Sequence, residues 1–302
     1  MVPQVFIVVV NWNGYKDTIE CIESLQKVTY SNCEIAIVDN GSTDGSPEIL
    51  KEKFPHIPLI QIKENLGYAG GNNVGIKWAL ERGADYVVLL NNDTIVDENF
   101  IIELVKVAEN DTRIGMLTSK VYFYDKPDVL WFAGGKFSLK TGWSRHIGYN
   151  EKDIGQYDEV KETERPCGCA MMVTRRLCEK AGLIKEEYFC YCEEVDWSIR
   201  AKKAGFKVVY VPQSKVWHKV SKSTGGPKST NYIYYAVRNT LKCLKSNAPY
   251  KYGFQNFFRN LLVVSLYTLS LFTMGIPKRE GLKRIYQGTR DYYLGKFGKQ
   301  SF

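Results

Sequence analysis

The stretch Tyr86-Val-Val-Leu-Leu-Asn-Asn-Asp93-Thr94 limits what this chain can fold into more than any other. Five apolar or aromatic residues run directly into a cluster of short polar side chains. The pattern predicts a buried strand ending at Leu90, with Asn91, Asn92 and Asp93 presented just past its carboxyl end. In open α/β sheets, ligands collect at that edge. A lone carboxylate flanked by amides there can hold a hard cation, and the cation can hold phosphate oxygens. The same residues also suit a helix start, because Asn and Asp cap helices well and residues 98–110 look helical.

The residues before this stretch alternate strand and helix signals. Apolar runs at 5–10, 34–38, 59–62 and 86–90 are separated by helical spacing at 17–27 and by a short helix after the turn-rich 39–45. A glycine-rich segment at 67–71 opens a further helix over 72–82. This β-α-β-α order predicts an α/β fold with a mostly parallel sheet and helices on both faces. From 120 to 192 the pattern is less regular. Strands or loops at 131–135 and 138–149 lie over one sheet edge, residues 150–165 form a polar loop, and 169–174 return to the sheet. A helix from 194 to 205, a strand at 207–211 and Trp217-His218 follow. Residues 219–229, rich in Lys, Ser and Gly, suggest a mobile loop. Two helices are expected over 232–246 and 252–274.

Charge is unevenly spread. Residues 215–302 hold 16 Lys and Arg against 2 acids, whereas residues 1–214 hold 25 against 31. A basic segment of that kind needs a partner or a surface. It also contains the greasiest stretch, 261–276. With Phe257 and Phe258 this approaches the roughly 20 residues that span a bilayer. Arg259, Asn260, Ser265, Thr268, Ser270 and Thr273 interrupt it, and Lys278, Arg279, Lys283 and Arg284 follow. Such a pattern suits a helix lying on an anionic membrane; a buried packing helix is the alternative. A nucleic-acid partner is not expected, because the basic region is apolar and carries no known motif.

The amino terminus, Met1-Val2-Pro3-Gln4, has no basic segment before its apolar run, so the expectation is a chain that begins here and stays in the cytoplasm. The eight cysteines are then not expected to form a disulfide framework. The pairs Cys167/Cys169 and Cys190/Cys192 are spaced more tightly than structural zinc sites use, and are taken as small apolar residues sharing a strand face.

Four loops would meet at the carboxyl edge of the sheet. They are Asn11-Trp-Asn13-Gly14, Asp39-Asn40-Gly-Ser-Thr-Asp44, Asn65-Leu-Gly67-Tyr-Ala-Gly-Gly-Asn72-Asn73 and Asn91-Asn92-Asp93. Amides and acids suit base and ribose, and glycines permit close backbone approach, so the set suits a nucleotide. The first loop lacks G-x-G-x-x-G and no G-x-x-x-x-G-K-[ST] occurs, which argues against a dinucleotide enzyme and a P-loop. A second cluster is Cys192-Glu193-Glu194-Val195-Asp196-Trp197, with Arg200 nearby. Two of its acids are explained by the helix dipole; the third invites a chemical role. His218, one of three histidines, is either a ligand or a satisfied structural residue.

Taken together, Asn11-Trp-Asn-Gly, Val-Asp39-Asn-Gly-Ser-Thr-Asp-Gly, Asn65-Leu-Gly-Tyr-Ala-Gly-Gly-Asn-Asn, Leu-Leu-Asn91-Asn-Asp93-Thr, Glu193-Glu-Val-Asp-Trp-Ser-Ile-Arg and Val-Trp-His218 resemble the family 2 glycosyltransferases. The nearest branch is the rhamnosyltransferase-like enzymes of polysaccharide assembly, and the resemblance covers residues 3–245. It implies a GT-A fold, Rossmann-like with flanking helices, a nucleotide-diphosphate sugar donor (dTDP- or UDP-linked), a divalent metal (Mg2+ or Mn2+) and inversion at the anomeric carbon. Residues 1–230 would be the catalytic domain, with a donor half at 1–120 and an acceptor half at 121–230. Residues 231–302 would be a helical extension that associates with membrane.

By position, Asp93 resembles the last acid of the family's D-x-D metal motif, Asn91 stands where its first acid often is, and His218 resembles a histidine that completes the metal shell. Asp39 and Asn40 fall where the family contacts base and ribose. Asn11, Asn13, Asn65, Gly67, Asn72, Asn73 and Asn92 would line the same pocket. Glu194 stands where the family's base, usually Asp, is found, and Asp196 is the second candidate. Inverting transfer needs one base for the acceptor hydroxyl, and a cation for the departing diphosphate. The loop at 219–228 could close over that diphosphate. The implied enzyme is a peripheral hexosyltransferase on the inner face of the cell membrane, extending a lipid-linked or cell-surface glycan. A nucleotidyltransferase and a non-catalytic sugar- or polyanion-binding protein are the rival expectations.

Overall fold

The computed structural model describes residues 2–220, 229–248, 250 and 252–300. The alternation expected of the first ninety residues is present. In order come β1 (Val5–Asn11), α1 (Tyr15–Leu25), β2 (Cys33–Asn40), α2 (Ser46–Lys53), β3 (Leu59–Ile62), α3 (Gly67–Glu81) and β4 (Tyr86–Asn91). β1 pairs in parallel with both β2 and β4, and β2 pairs in parallel with β3. Residues 5–9 are buried on both faces, which is why the strand is apolar throughout rather than alternating.

The glycine-rich segment is already helical, so α3 starts at Gly67 rather than at Asn72. Gly67 has φ +72, and a Cβ there would fall 2.3 Å from the Phe189 carbonyl oxygen. At Gly75 a Cβ would fall 2.1 Å from Val8 Cγ1, so this glycine lets α3 lie directly on β1.

Beyond β4 the order is β5 (Thr94–Val96), α4 (Phe100–Asn110), β6 (Ile114–Phe123), β7 (Lys126–Phe132), β8 (Gly135–Phe137), β9 (Ser144–His146), β10 (Lys161–Glu162), β11 (Ala170–Thr174), α5 (Arg175–Ala181), α6 (Glu193–Lys203) and β12 (Lys207–His218). The main sheet runs β10-β12-β6-β11-β4-β1-β2-β3. β11 inserts antiparallel between β4 and β6, and β6 pairs in parallel with β12. The sheet is therefore parallel from β1 to β4 and mixed beyond β4.

Residues 91–93 form a turn into β5 rather than a helix start, closed by the Thr94 hydroxyl, which donates to the Asn91 carbonyl at 2.7 Å. β12 runs past the expected end at 211. Its register shifts between Val211 and Lys215, and it continues to His218, which pairs with Thr94. All the cysteines are free. Cys167 and Cys169 do not share a strand face: they sit in the turn before β11, with sulfurs 3.3 Å apart.

Three helices close the chain: α7 (Thr230–Asn247), α8 (Gly253–Ser270) and α9 (Lys278–Tyr293). Asn239 of α7 donates to the carbonyls of Tyr188, Cys190 and Tyr191, which pins α7 to the segment before α6. Against α9, a Cβ on Gly288 would meet the Tyr234 carbonyl at 2.7 Å, so the two helices touch closely. No helix of the described residues is long and apolar enough to cross a membrane. The suggested closing loop, 219–228, lies outside the described residues from 221 onward.

Candidate active site

The pairing of β1 with β2 sets Asn11 beside Asp39. Asn11 donates to Asp39 Oδ1 at 2.8 Å and to Ser42 Oγ at 3.1 Å, and accepts from Thr18 Oγ1 at 2.8 Å. Asp39 Oδ2 accepts from the Ser42 N–H at 3.0 Å. Asn40 donates to the Gly67 carbonyl at 3.0 Å and to Asn65 Oδ1 at 3.2 Å, and accepts from the Leu66 N–H at 3.0 Å. Asn13, at φ +50, accepts from the Thr43 N–H at 2.8 Å. Asn92 donates to Thr18 Oγ1 at 3.0 Å and so joins the same network. The two remaining amides point elsewhere. Asn72 bonds back to the Tyr68 carbonyl of its own helix at 2.9 Å. Asn73 ties α3 to Ile184 and Glu186, at 2.8 and 3.0 Å.

Asp93 follows β4 and His218 ends β12. Their side chains meet, with Asp93 Oδ1 3.1 Å from His218 Nε2, and both residues are buried. Burial pulls the imidazole pKa down, but the neighbouring Asp93 carboxylate outweighs it and the net shift is upward. The Trp131 ring stands edge-on to His218 at 5.8 Å. Two ligands in adjacent positions of an octahedral cation, each about 2.1 Å from it, lie about 3 Å apart. The observed 3.1 Å separation is that of a direct hydrogen bond, and it also leaves room for a cation to replace the shared proton between the two groups. Among the described residues no third His, Cys, Asp or Glu completes a metal cluster. A cation held here would thus take its other ligands from substrate and water, as hard cations at phosphate sites do.

A second cluster lies at the start of α6. Phe189, Tyr191 and Cys192 all have positive φ, at 65, 67 and 74°, immediately before Glu193. Such conformations are costly for residues with side chains, and cluster at functional sites. The Glu194 side chain is 15% exposed, and Arg165 Nη1 lies 3.7 Å from its Oε1. Glu193 beside it is buried. Burial, and then the Glu194 charge, push its carboxyl well above the usual range. Gly168 faces this corner: a Cβ there would be 3.7 Å from Tyr68 Oη and 4.0 Å from Glu194 Cγ. Tyr68 Oη donates to the Gly168 carbonyl at 2.6 Å.

The turn around Gly168 links the two clusters. The Cys167 thiol is held down to about 7, first by its hydrogen bond with Cys169, and it feels the charges of His218 and Arg165. The Cys169 thiol is pushed up by that bond, by burial, and by the charges of Cys167 and Asp93. Asp196 is placed differently. It is fully buried, with Arg200 Nε and Asn247 Nδ2 each at 2.7 Å, Tyr188 Oη at 3.1 Å and Lys185 Nζ at 3.6 Å.

Buried polar groups almost always find partners, so exceptions mark sites. Among the described residues, Arg165 Nε, Glu193 Oε2 and His218 Nδ1 in these clusters are buried with no hydrogen-bond partner, as are Arg259 Nε, Asn260 Oδ1 and Thr289 Oγ1 elsewhere.

The description "Glycosyl transferase family 2" matches residues 6–180, more than half of the chain. This chain belongs to that family. The N-acetylglucosaminyl-diphospho-decaprenol L-rhamnosyltransferase of Mycobacterium tuberculosis is 28% identical over 250 residues, covering 72% of this chain and 80% of the relative. The dTDP-rhamnosyl transferase RfbF of Shigella flexneri is 24% identical over 267 residues, 82% of each. Among solved structures, the mannosyltransferase PcManGT of Pyrobaculum calidifontis, in complex with GDP-Man and Mn2+, superposes with TM-score 0.61 at 14% identity, covering 98% of this chain and 88% of that one. GalNAc-T7 with UDP, GalNAc and Mn2+ gives 0.64 at 15% identity, covering 97% and 56%. At such identities the likeness concerns the fold, and it agrees with the GT-A architecture expected for a family 2 glycosyltransferase.

Sequence pattern alone misses Arg165 and Tyr68. Arg165 ends a loop of alternating charges, and nothing local separates it from its neighbours. Tyr68 lies inside the glycine-rich segment, where the glycines dominate the pattern.

Proposed function

We propose that this family 2 glycosyltransferase moves a sugar, rhamnose by the names of its relatives, from a dTDP- or UDP-linked donor to a hydroxyl of a lipid-linked or cell-surface glycan, with inversion. The observation that carries this reading is the turn at 167–169: the Asn91 N–H, two residues before Asp93, donates to the Cys169 carbonyl at 2.9 Å, and a Cβ on Gly168 would lie 4.0 Å from Glu194 Cγ.

In this reading the network of Asn11, Asp39, Asn40 and Asn65 receives the nucleotide. Asp93 and His218, with Asn91 on the same turn, would hold a divalent cation, Mg2+ or Mn2+, which would neutralise charge on the departing diphosphate. Glu194 accepts the proton of the acceptor hydroxyl as that oxygen attacks the anomeric carbon. Arg165 fixes the direction in which the Glu194 carboxylate points. Asp196 holds α6 in place through Arg200 and Asn247, which leaves Glu194 as the base. Work at the inner face of the cell membrane, docked through residues 250–302, completes the reading.

The test is incubation with nucleotide sugars, Mn2+ and a lipid-linked acceptor. The expected products are a nucleoside diphosphate and a glycan whose new linkage has the opposite anomeric configuration by NMR. Glu194→Gln should slow transfer by about 10²–10⁴-fold. Pyrophosphate released from a nucleoside triphosphate would mark a nucleotidyltransferase instead. Sugar binding with no turnover in the parent protein would mark a binding module.

A further inference from the structure

Helix α8 is built inside out. Its buried positions are Arg259, Asn260 and Val263. Phe254, Phe257, Phe258, Leu261, Leu262 and Leu269 are 44–62% exposed. From Phe254 to Leu262 their spacing makes one apolar stripe, interrupted by the exposed Ser265 and resumed at Leu269. A helix packed on a protein in water turns its apolar face inward; here that face is turned out. Phe272, at 67% exposure, extends the stripe past the end of the helix.

The stripe is bordered by cations. Arg259 is 5% exposed, its Nε has no partner, and among the described residues it makes no ion pair. Its other nitrogens donate to the Ala248 carbonyl and to Asn256 Oδ1. Arg259 lines a groove with Lys140, Tyr250, Phe254, Phe258 and Leu262, and among the described residues no carboxylate lines that groove. Lys278 Nζ sits over the Phe272 ring at 4.3 Å. A buried guanidinium with an unused N–H, a lysine and an adjoining aromatic wall complement one kind of ligand: an anionic head carried on a long apolar chain.

We propose that this face is a lipid-binding surface. α8 lies along an anionic leaflet with its Phe and Leu side chains among the acyl chains, and the Arg259–Lys140 groove takes a lipid phosphate. Membrane crossing is not required, and no described helix is long and apolar enough for it. Burial against a second copy is disfavoured by charge. A two-fold interface through this face would bury Arg259, Lys140 and Lys278 of both copies, and among the described residues no acid lines the groove to pair with them. This inference sharpens the membrane docking named above and stands apart from the transfer chemistry.

Its test is co-sedimentation of the full chain with vesicles of phosphatidylcholine alone, or of phosphatidylcholine mixed with phosphatidylglycerol. Neither donor nor acceptor is present, so a failure here leaves the transfer reading untouched. The parent should bind the mixed vesicles more tightly. The double variant F257S/L261S alters only exposed positions. It should melt as the parent does and lose roughly a hundredfold in binding to both vesicle types, since two large side chains no longer leave water. Lys140→Ala and Arg259→Gln should each remove about fivefold of the preference for the anionic vesicles. Because Lys140 is exposed, its variant keeps the charge test valid if Arg259→Gln folds poorly. Parent protein that binds neither vesicle, or F257S/L261S that binds as the parent does, would overturn the proposal. A parent dimer dissociated by F257S/L261S would also overturn it and make the face a self-interface.

Discussion

At the ends of β1 and β2, Asn11, Asp39, Asn40 and Asn65 bond to one another and to the backbone around them. Around the start of α6, Arg165 Nε and Glu193 Oε2 are buried without partners, and the chain just before Glu193 holds three strained residues. Both regions border the carboxyl edge of one sheet. A saturated amide network is rigid before any ligand arrives. An unsaturated, strained corner gains stability when a ligand supplies what is missing. In the proposed function this contrast places recognition and chemistry in different parts of the molecule: the network around Asp39 is shaped in advance, and the corner around Glu194 is left for reacting groups to complete.

This contrast can be broken by substitution. The largest effect is expected at Asp196, which carries the anchoring side of α6. Asp196→Ala strands Arg200 and Asn247 in the interior and should cost about 3–5 kcal/mol in urea denaturation. Parental stability would mean that α6 is not held by this residue. Asp39→Ala should cost about 1–3 kcal/mol, because Asn11 and the Ser42 N–H lose their acceptor. It should also weaken donor binding, measured by calorimetry; unchanged affinity would remove the donor network from the recognition account. The smallest effect on stability is expected at Glu193, whose carboxyl burial pushes well above its usual range, toward the neutral form that a Gln side chain mimics. Glu193→Gln should change stability by less than about 1 kcal/mol. A larger loss would show that the ionised form matters to the fold.

A pH series sharpens the same comparison. Burial tends to raise the Asp196 pKa, but the hydrogen bonds from Arg200 and Asn247 and the charges of Arg200 and Lys185 outweigh it. The net value lies below the ordinary 3.8. A carboxylate with a lowered folded pKa contributes stability above its unfolded value and loses it as pH falls through the folded one. Parent protein should therefore lose stability on acidification below about 3.8 through this group, and Asp196→Asn should lack that part of the loss. Identical acid profiles for the two proteins would contradict the assignment.

The β1-to-β4 framework was legible because its signals are local: continuous apolar runs and turn residues at fixed spacing. The insertion of β11 was not, since its antiparallel place between β4 and β6 depends on partners far away in sequence. β12 was cut short because Pro212 and Gln213 interrupt its apolar run where the register shifts. α9 was missed because Ile285 and Tyr292, which it buries, are scattered among cations. At the site, the residue types of Asp93, Glu194 and His218 were conspicuous. The meeting of Asp93 with His218, across 125 positions, is a property of the sheet. Asn73 looked like a pocket amide and instead braces α3 against Ile184, because a buried amide bonds wherever backbone is offered.

The division of labour between holding the donor and activating the acceptor is tested most directly by calorimetric titration of a nucleotide-sugar donor, with and without Mn2+, into parent, Asp93→Ala and Glu194→Gln proteins. Transfer rates are then measured on the same samples. Glu194→Gln should bind donor and metal as the parent does while transfer falls by about 10²–10⁴-fold, and Asp93→Ala should lose the gain in affinity that Mn2+ brings. Parental transfer by Glu194→Gln, or an undiminished Mn2+ effect in Asp93→Ala, would contradict the account.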